Sequence, residues 1–226
     1  MDSKNLINFL KFVMRLNLRS FYYNFKKLPI NQAVYLPLMI SKNCCINSLK
    51  GKIIINGLVR SGMFQVGYGE VGVFDKRYSR SVLDIKGQLI INGKVRIGQG
   101  AKISIGKKGR LSLGEEFQIS AESIIICHKE IFIGNGVLIS WGVQIMDTDF
   151  HSIFKGSKKI NEPAKIIIKD KVWIGLNSVI LKGSIVNQNS VIAACSLMSK
   201  NGIETGNGIF GGAPIRLLKS DTNWAE

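Results

Sequence analysis

Along the C-terminal half of the chain, apolar side chains return at intervals of six: Ile168, Ile174, Ile180, Val186, Ile192 and Met198. The residue two positions earlier is small or apolar, as at Ile166, Val172, Ser178, Ser184, Ser190 and Ser196. Upstream the same pairing reads Leu83/Ile85, Leu89/Ile91, Val95/Ile97 and Ala101/Ile103. After a slip it resumes at Leu111/Leu113, Phe117/Ile119 and Ser123/Ile125, and after a second slip at Ile131/Ile133, Val137/Ile139 and Val143/Ile145. Such a period matches neither a 3.6-residue helix nor a continuous alternating strand. It fits a short strand followed by a turn, with the inward side chains of one unit stacked on those of the next. Three units close a triangular coil of about 18 residues, so the pattern predicts an all-β solenoid of roughly five to seven coils. Each coil can bury its apolar faces only against its neighbours.

Three segments fall outside the regular repeat, which is assigned to residues 51–204. Residues 1–50 place Lys4, Lys11, Arg15, Arg19, Lys26 and Lys27 among Leu6, Phe9, Leu10, Val13 and Leu16, the pattern of a basic amphipathic helix. Two roles are open for it: a cap over the first coil, or peripheral contact with an anionic membrane through its basic face. Residues 146–165 interrupt the period and should project as a loop. Residues 205–226 follow the last repeat and should cap the open strand edges.

Composition narrows the partners. Hydrophobic residues make up 46% of 226, and the 24 glycines are dispersed, as expected of a packed domain with many tight turns. The net charge of +16 favours an anionic partner, such as a phosphate-rich cofactor, an acidic glycan or a lipid surface. No helix-turn-helix, zinc-finger or RNP-like pattern is present, so nucleic acid is not expected. Leu28 to Ser41, an uncharged stretch, is too short to cross a bilayer and contains Pro29 and Pro37. Lys11 and Arg15 interrupt the first apolar run and argue against a signal peptide, which makes the cytoplasm, with the inner membrane face as a variant, the expected location. Cys44, Cys45, Cys127 and Cys195 form no CxxC pair and read as free thiols. Gly67-Tyr68-Gly69-Glu70-Val71-Gly72 matches GxGxxG but lacks the helix that a dinucleotide site requires.

The motifs Val172-Trp173-Ile174-Gly175, Ile180-Leu181-Lys182-Gly183, Val191-Ile192-Ala193-Ala194, Ser196 to Lys200 and Gly212-Ala213-Pro214 resemble the hexapeptide-repeat acetyltransferase family over roughly residues 83–220. Ile139-Ser140-Trp141 followed by Asp147-Thr148-Asp149-Phe150-His151 is similar to the branch that decorates bacterial surface polysaccharides. The resemblance implies a left-handed parallel β-helix, a homotrimer, acetyl-CoA as co-substrate and a carbohydrate or sugar-nucleotide acceptor, with no metal. It also implies that His151 deprotonates the acceptor hydroxyl for direct attack on the thioester, a task suited to an imidazole near neutral pH. Asp147 or Asp149 would fix its tautomer. The amide of Leu176 would receive the oxyanion. Trp173, Gly175, Ala193, Ser196, Lys200, Pro214 and Arg216 occupy the cofactor positions, the two cations facing phosphates. His128 and Trp141 are candidate acceptor contacts. Two departures stand out. Ala193-Ala194-Cys195-Ser196 replaces the usual Gly-Ala-Gly-Ser, and Gly212-Ala213-Pro214-Ile215 replaces Gly-Asn-Pro-Ala, so added Cβ atoms would narrow the pantetheine groove.

Two other readings remain open: N-acetylation of an amino sugar or xenobiotic amine, and a non-catalytic β-helix scaffold. A metal site at Asp147, Asp149 and His151 lacks the glycine and distal glutamate of an EF-hand. A γ-carbonic anhydrase needs three zinc-binding histidines, and the chain has two in all. A fused nucleotidyltransferase needs an α/β domain that residues 1–82 do not supply.

Overall fold

The computed structural model describes residues 13, 16–69, 71–75, 77–200 and 205–225. Among them the chain winds through three long sheets, here faces A, B and C, of nine, seven and six strands. A typical coil visits A at Val95–Ile97, B at Lys102–Ile105 and C at Arg110–Leu113 before returning to A at Phe117–Ile119. Neighbouring coils pair in parallel with residues in register, so like positions stack. On face B the inward ladder runs Leu83, Ile103, Ile125, Ile145, Ile180 and Met198, each no more than 1% exposed. A fully buried isoleucine contributes about 1.5–3 kcal/mol over an exposed one, which makes these ladders the main stabilising element.

The period alone could not place the start of the stack. Its first strand is Leu38–Ile40, ahead of the boundary expected at residue 51, and Leu38 and Ile40 already fill inward positions. The six-residue spacing is hidden there because residues 67–81 form an inserted loop between Phe64–Val66 and Val82–Ile85. The GxGxxG stretch opens this insertion, and no helix follows it among the described residues. The corners between faces A and B repeat a left-handed residue coil after coil: Gly100, Glu122, Gly142, Asn177 and Cys195 have φ between 54° and 73°. Glycine and asparagine tolerate that conformation, whereas a glutamate or cysteine there costs roughly 1 kcal/mol.

Both ends of the stack are covered. Lys4, Lys11 and Arg15 of the expected basic helix lie outside the described residues, but a helix, α1, spans Leu18–Lys27. Its Asn17 cap, Ser20 and Asn24 share one face and serve the free edge of Leu38–Ile40. Asn24 accepts from the Leu38 amide (2.9 Å) and donates to its carbonyl (2.8 Å). Ser20 Oγ accepts from the Ile40 amide (2.9 Å), and Asn17 donates to the Ile40 carbonyl (2.9 Å). Side chains thus take the place of a missing strand. At the other end Ile209–Gly211 extends face A in parallel, and Arg216–Lys219 pairs back on it antiparallel, which ends the stack. No helix among the described residues is long and apolar enough to cross a membrane.

Candidate active site

The loop 147–165 leaves face B after Gln144–Met146 and rejoins face C at Ile166–Ile168, so it projects from the B–C corner. Its root is Asp147. The carboxylate is fully buried and accepts from three successive backbone amides of the coil below: His128 (2.6 Å), Lys129 (2.7 Å) and Glu130 (2.8 Å). A charged acceptor on three donors is a strong anchor. It also corrects the role expected of Asp147, because a carboxylate engaged this way holds the corner and does not orient the His151 ring.

From this root the chain rises through Thr148, whose hydroxyl accepts from the Phe150 amide (3.1 Å), to Phe150 at φ 60°. This left-handed step reverses the chain and presents His151 to solvent. The Phe150 ring meets the His128 ring edge to face, with centroids 4.9 Å apart. His128 is itself half-buried and packs over Gly106 of the coil below, where a Cβ would come within 3.1 Å of the imidazole. The two histidines are therefore unlike: one is exposed on the loop, below its Phe154–Lys159 hairpin, and the other is packed beneath it.

Asn161 organises the base of the loop's hairpin, whose strands are Phe154–Lys155 and Lys158–Lys159. Its amide nitrogen donates to the Asp149 carboxylate (2.8 Å) and the His151 carbonyl (2.7 Å), while its oxygen accepts from the Ile153 amide (2.7 Å). Lys182, from the next coil, donates to the same Asp149 oxygen (2.5 Å) and to the Asn161 carbonyl (3.1 Å). Hydrogen bonds from Lys182 first, and from Asn161 next, hold the Asp149 carboxyl below its usual pKa. Neither Asn161 nor Lys182 was anticipated. Lys182 could have been found from register, since Leu181 stacks on Met146 and puts the next residue over the loop root. The length of the intervening loop hides that register in the sequence.

Most of the other predicted residues gather on face A and the A–B corner. Trp173 stacks between Leu138 and Val191, is 37% exposed, and donates from its indole to Ser140 Oγ (3.0 Å). Trp224 lies 6.0 Å from it, ring to ring. Trp141 stands at the same corner one coil below, 39% exposed. Gly175 must remain glycine-sized, because a Cβ would reach the Ala194 nitrogen at 2.7 Å. Leu176 follows in the turn, half-buried, its carbonyl accepting from the Cys195 amide (2.8 Å). Ala193 bonds through its amide to the Phe210 carbonyl (2.7 Å). Ser196 departs from expectation: it is 2% exposed, and its hydroxyl bridges the Ala193 carbonyl (2.7 Å) and the Gly212 amide (3.2 Å), so its side chain braces the stack. Pro214 and Arg216 are exposed at this end, whereas Lys200, after the face B strand Leu197–Met198, is exposed at the B–C corner beside Gly183. Lower on the corner a cleft of about 310 Å³, lined in part by Tyr68, Arg96, Gln118, Ser120 and Leu138, is roofed by the inserted loop that the period concealed.

Within one chain, then, the projecting histidine and the A–B corner groups stand at different corners of the prism, with face B between them. No group of three or more His, Cys, Asp or Glu among the described residues could hold a metal.

No protein-family model matches the chain. It is 35% identical over 79 residues to galactoside O-acetyltransferase of Lactococcus lactis, covering 34% of this chain and 38% of that protein. It is 38% identical over 63 residues to polysialic acid O-acetyltransferase of Neisseria meningitidis, covering 26% and 29%. The matched segments thus span less than half the length of these relatives. Among solved structures, the polySia-specific acetyltransferase NeuO superposes with a TM-score of 0.56 at 22% identity, over 84% of this chain and 89% of that one. That likeness shows the fold, a left-handed parallel β-helix.

Proposed function

We propose that this chain, a hexapeptide-repeat protein similar to the acetyltransferases of that family, transfers an acetyl group from acetyl-CoA to a hydroxyl of a surface polysaccharide, a lipopolysaccharide or its precursor. The observation that carries this is His151, exposed near the root of the loop that interrupts the ladder, with its main chain pinned by Asn161 and its loop pinned by Asp147 and Lys182. Sequence similarity to sugar O-acetyltransferases supports the class of acceptor.

Acetyl-CoA would supply the activated acyl group, and the A–B corner suits it: a cradle kept open by Gly175, the flat face of Trp173, and the cation Arg216 for phosphates, while Lys200, beside Gly183 at the B–C corner, would reach them from a neighbouring subunit. The His151 imidazole takes the proton of the acceptor hydroxyl. The new C–O bond forms as the C–S bond breaks, and the proton passes on to the leaving sulfur. The Leu176 amide donates to the carbonyl oxygen as charge develops on it. Asp147 acts at a distance, as a positioning residue that fixes the corner from which the base projects.

The separation of the two corners leads to a C3 homotrimer. The base and the cofactor groups of the A–B corner flank face B on opposite sides. Packing three B faces around a three-fold axis sets the A–B corner of one subunit beside the B–C corner of the next. The outward side chains of upper face B suit burial there: Ile126, Met146 and Leu181 stack in one row and Ile124, Gln144, Val179 and Leu197 in the other, apolar but for Gln144, whereas lower coils place Asp84, Lys102 and Ser104 outward. The test pairs turnover with sedimentation. His151→Ala should stay trimeric and lose about 10²-fold or more of acetyl transfer to a saccharide panel. His128→Ala, which removes the rest for Phe150, should mainly raise the acceptor KM. Normal turnover by His151→Ala removes the base assignment, and a fully active monomer removes the shared site.

A further inference from the structure

Helix α1 is amphipathic in an unusual sense for a cap. Its polar residues Ser20 and Asn24 are fully buried against the strand edge, and its aromatic face is turned outward. Leu18, Phe21, Tyr22 and Phe25, at spacings of three and four, are 89%, 54%, 52% and 39% exposed. Phe21 and Phe25 pack against each other with tilted rings, centroids 4.7 Å apart. The apolar surface continues past the helix at the same end of the prism, where Ile30, Val34 and Tyr35 are each more than half exposed. Exposed apolar groups clustered in this way mark an interaction surface.

The charge around this surface identifies the partner. From Ser3 to Gly69 the sequence has ten lysines and arginines and no aspartate or glutamate. Lys26, Lys42 and Lys50 are exposed in this stretch, and Arg19 is tethered to the Lys42 and Cys44 carbonyls at 3.3 and 2.5 Å. Lys26 donates to the Tyr22 hydroxyl (2.6 Å) and lies 4.8 Å from the ring centroid, which ties a cation to the aromatic face. A second copy of the chain would set two carboxylate-free cationic surfaces against each other, which like-charge repulsion disfavours. An interface of aromatic groups ringed by cations matches the headgroup layer of an anionic bilayer, where aromatic side chains sit at the acyl boundary and lysines meet phosphates.

We infer that the Leu18–Lys27 helix and the adjoining Ile30–Tyr35 segment dock the first-coil end of the solenoid on an anionic membrane surface, with the helix axis lying in the interface. The solenoid axis then stands away from the bilayer. The inference differs from contact through the basic face of a longer helix, because here the buried polar face serves the fold and the open aromatic face meets lipid. It stands whether or not the acetyl-transfer proposal does.

The test is flotation of the full chain with phosphatidylcholine vesicles containing 30% phosphatidylserine, beside pure phosphatidylcholine vesicles, at low and at high salt (about 50 mM and 500 mM). The protein should float with the anionic vesicles at low salt, stay behind with neutral ones, and be released by salt. The double variant Phe21→Ser, Phe25→Ser should partition at least about tenfold more weakly, since each signal alone gives only marginal binding. Its melting temperature should match the wild type, because both rings lie off the core. Wild-type protein that ignores anionic vesicles at low salt overturns the inference, as does equal partition by the variant. Self-association of the wild type that is lost in the variant also overturns it, by assigning the face to a second copy.

Discussion

Replacing Asp147 by alanine is the most informative single change in this molecule, because the same carboxylate governs both the stability of a corner and the position of the proposed base. In the folded chain it receives three amide hydrogen bonds, all from consecutive residues and all within 2.8 Å. Its removal leaves three donors facing a small cavity. An unsatisfied buried donor costs about 1–3 kcal/mol. Water entering at the corner, and relief from keeping a charge out of solvent, offset part of that sum. A net loss of about 3 kcal/mol follows. In a solenoid the damage stays near the two affected coils, so the far ends should keep their protection. Urea unfolding followed by hydrogen exchange reads both quantities. The midpoint should fall, and the amides of His128, Lys129 and Glu130 should lose protection while those of face B near Val82–Ile85 keep theirs. Turnover should drop although His151 is intact, through kcat and without loss of the trimer. Asp147→Asn, which keeps one acceptor oxygen, should lie between. An unchanged urea midpoint, within about 0.5 kcal/mol, or unchanged protection at residues 128–130, refutes the corner as the anchor of the loop.

The remaining expectations concern the core, the thiols and the loop. Ile125→Ala, in the middle of the face B ladder, should cost about 2–5 kcal/mol in urea unfolding, whereas Ile185→Ala, 39% exposed, should cost under about 1 kcal/mol; equal costs would mean that ladder burial does not set stability. Burial pushes the Cys44 thiol up to about 12, and burial with the nearby Asp147 carboxylate raises Cys127 further. Mass spectrometry after treatment with a thiol reagent at pH 8 should therefore show exposed Cys195 modified first and Cys127 protected until unfolding; rapid labelling of Cys127 would show that the corner opens. Asp149, held below the ordinary carboxylate range mainly by Lys182, contributes its pairing above the unfolded value of about 3.9 and loses it as pH falls through the lower folded value. Hydrogen exchange of residues 149–161, corrected for intrinsic rates, should stay constant from neutral pH to about pH 4 and rise below it, and Lys182→Met should bring the faster exchange to neutral pH; loop exchange indifferent to both would leave the Asp149–Lys182 pair without a structural role.

How much of this was visible in the sequence depends on whether a feature repeats. Stacked ladders need the same kind of residue at the same offset in every coil, so Ile168 through Met198 declared the solenoid, and the break at 146–165 declared the loop with His151 on it. Features that occur once left weaker traces. Asn17, Ser20 and Asn24 look like polar interruptions of an apolar helix until the free edge of Leu38–Ile40 is placed beside them, and only then does their spacing identify a substitute strand. Asp147 and Asp149 are neighbours of a histidine in sequence, and proximity along the chain suggested that one of them orients the ring. Three dimensions assign them otherwise: Asp147 faces back to the coil below, and Asp149 faces forward to Lys182 of the coil above. Register across a loop of unknown length was the missing quantity in both cases, since a shift by one position would replace Lys182 by its neighbours Leu181 or Gly183 over the loop root. Ser196 shows the converse limit. Its place in a motif suggested a ligand contact, yet it occupies the inward position that Ser123 and Ser178 fill in other coils; those two hydroxyls donate to the Ser140 and Ala193 carbonyls of the next coil, and Ser196 to the Ala193 carbonyl just before it. The repeat itself, read as a row of inward sites, contained the better assignment for that residue.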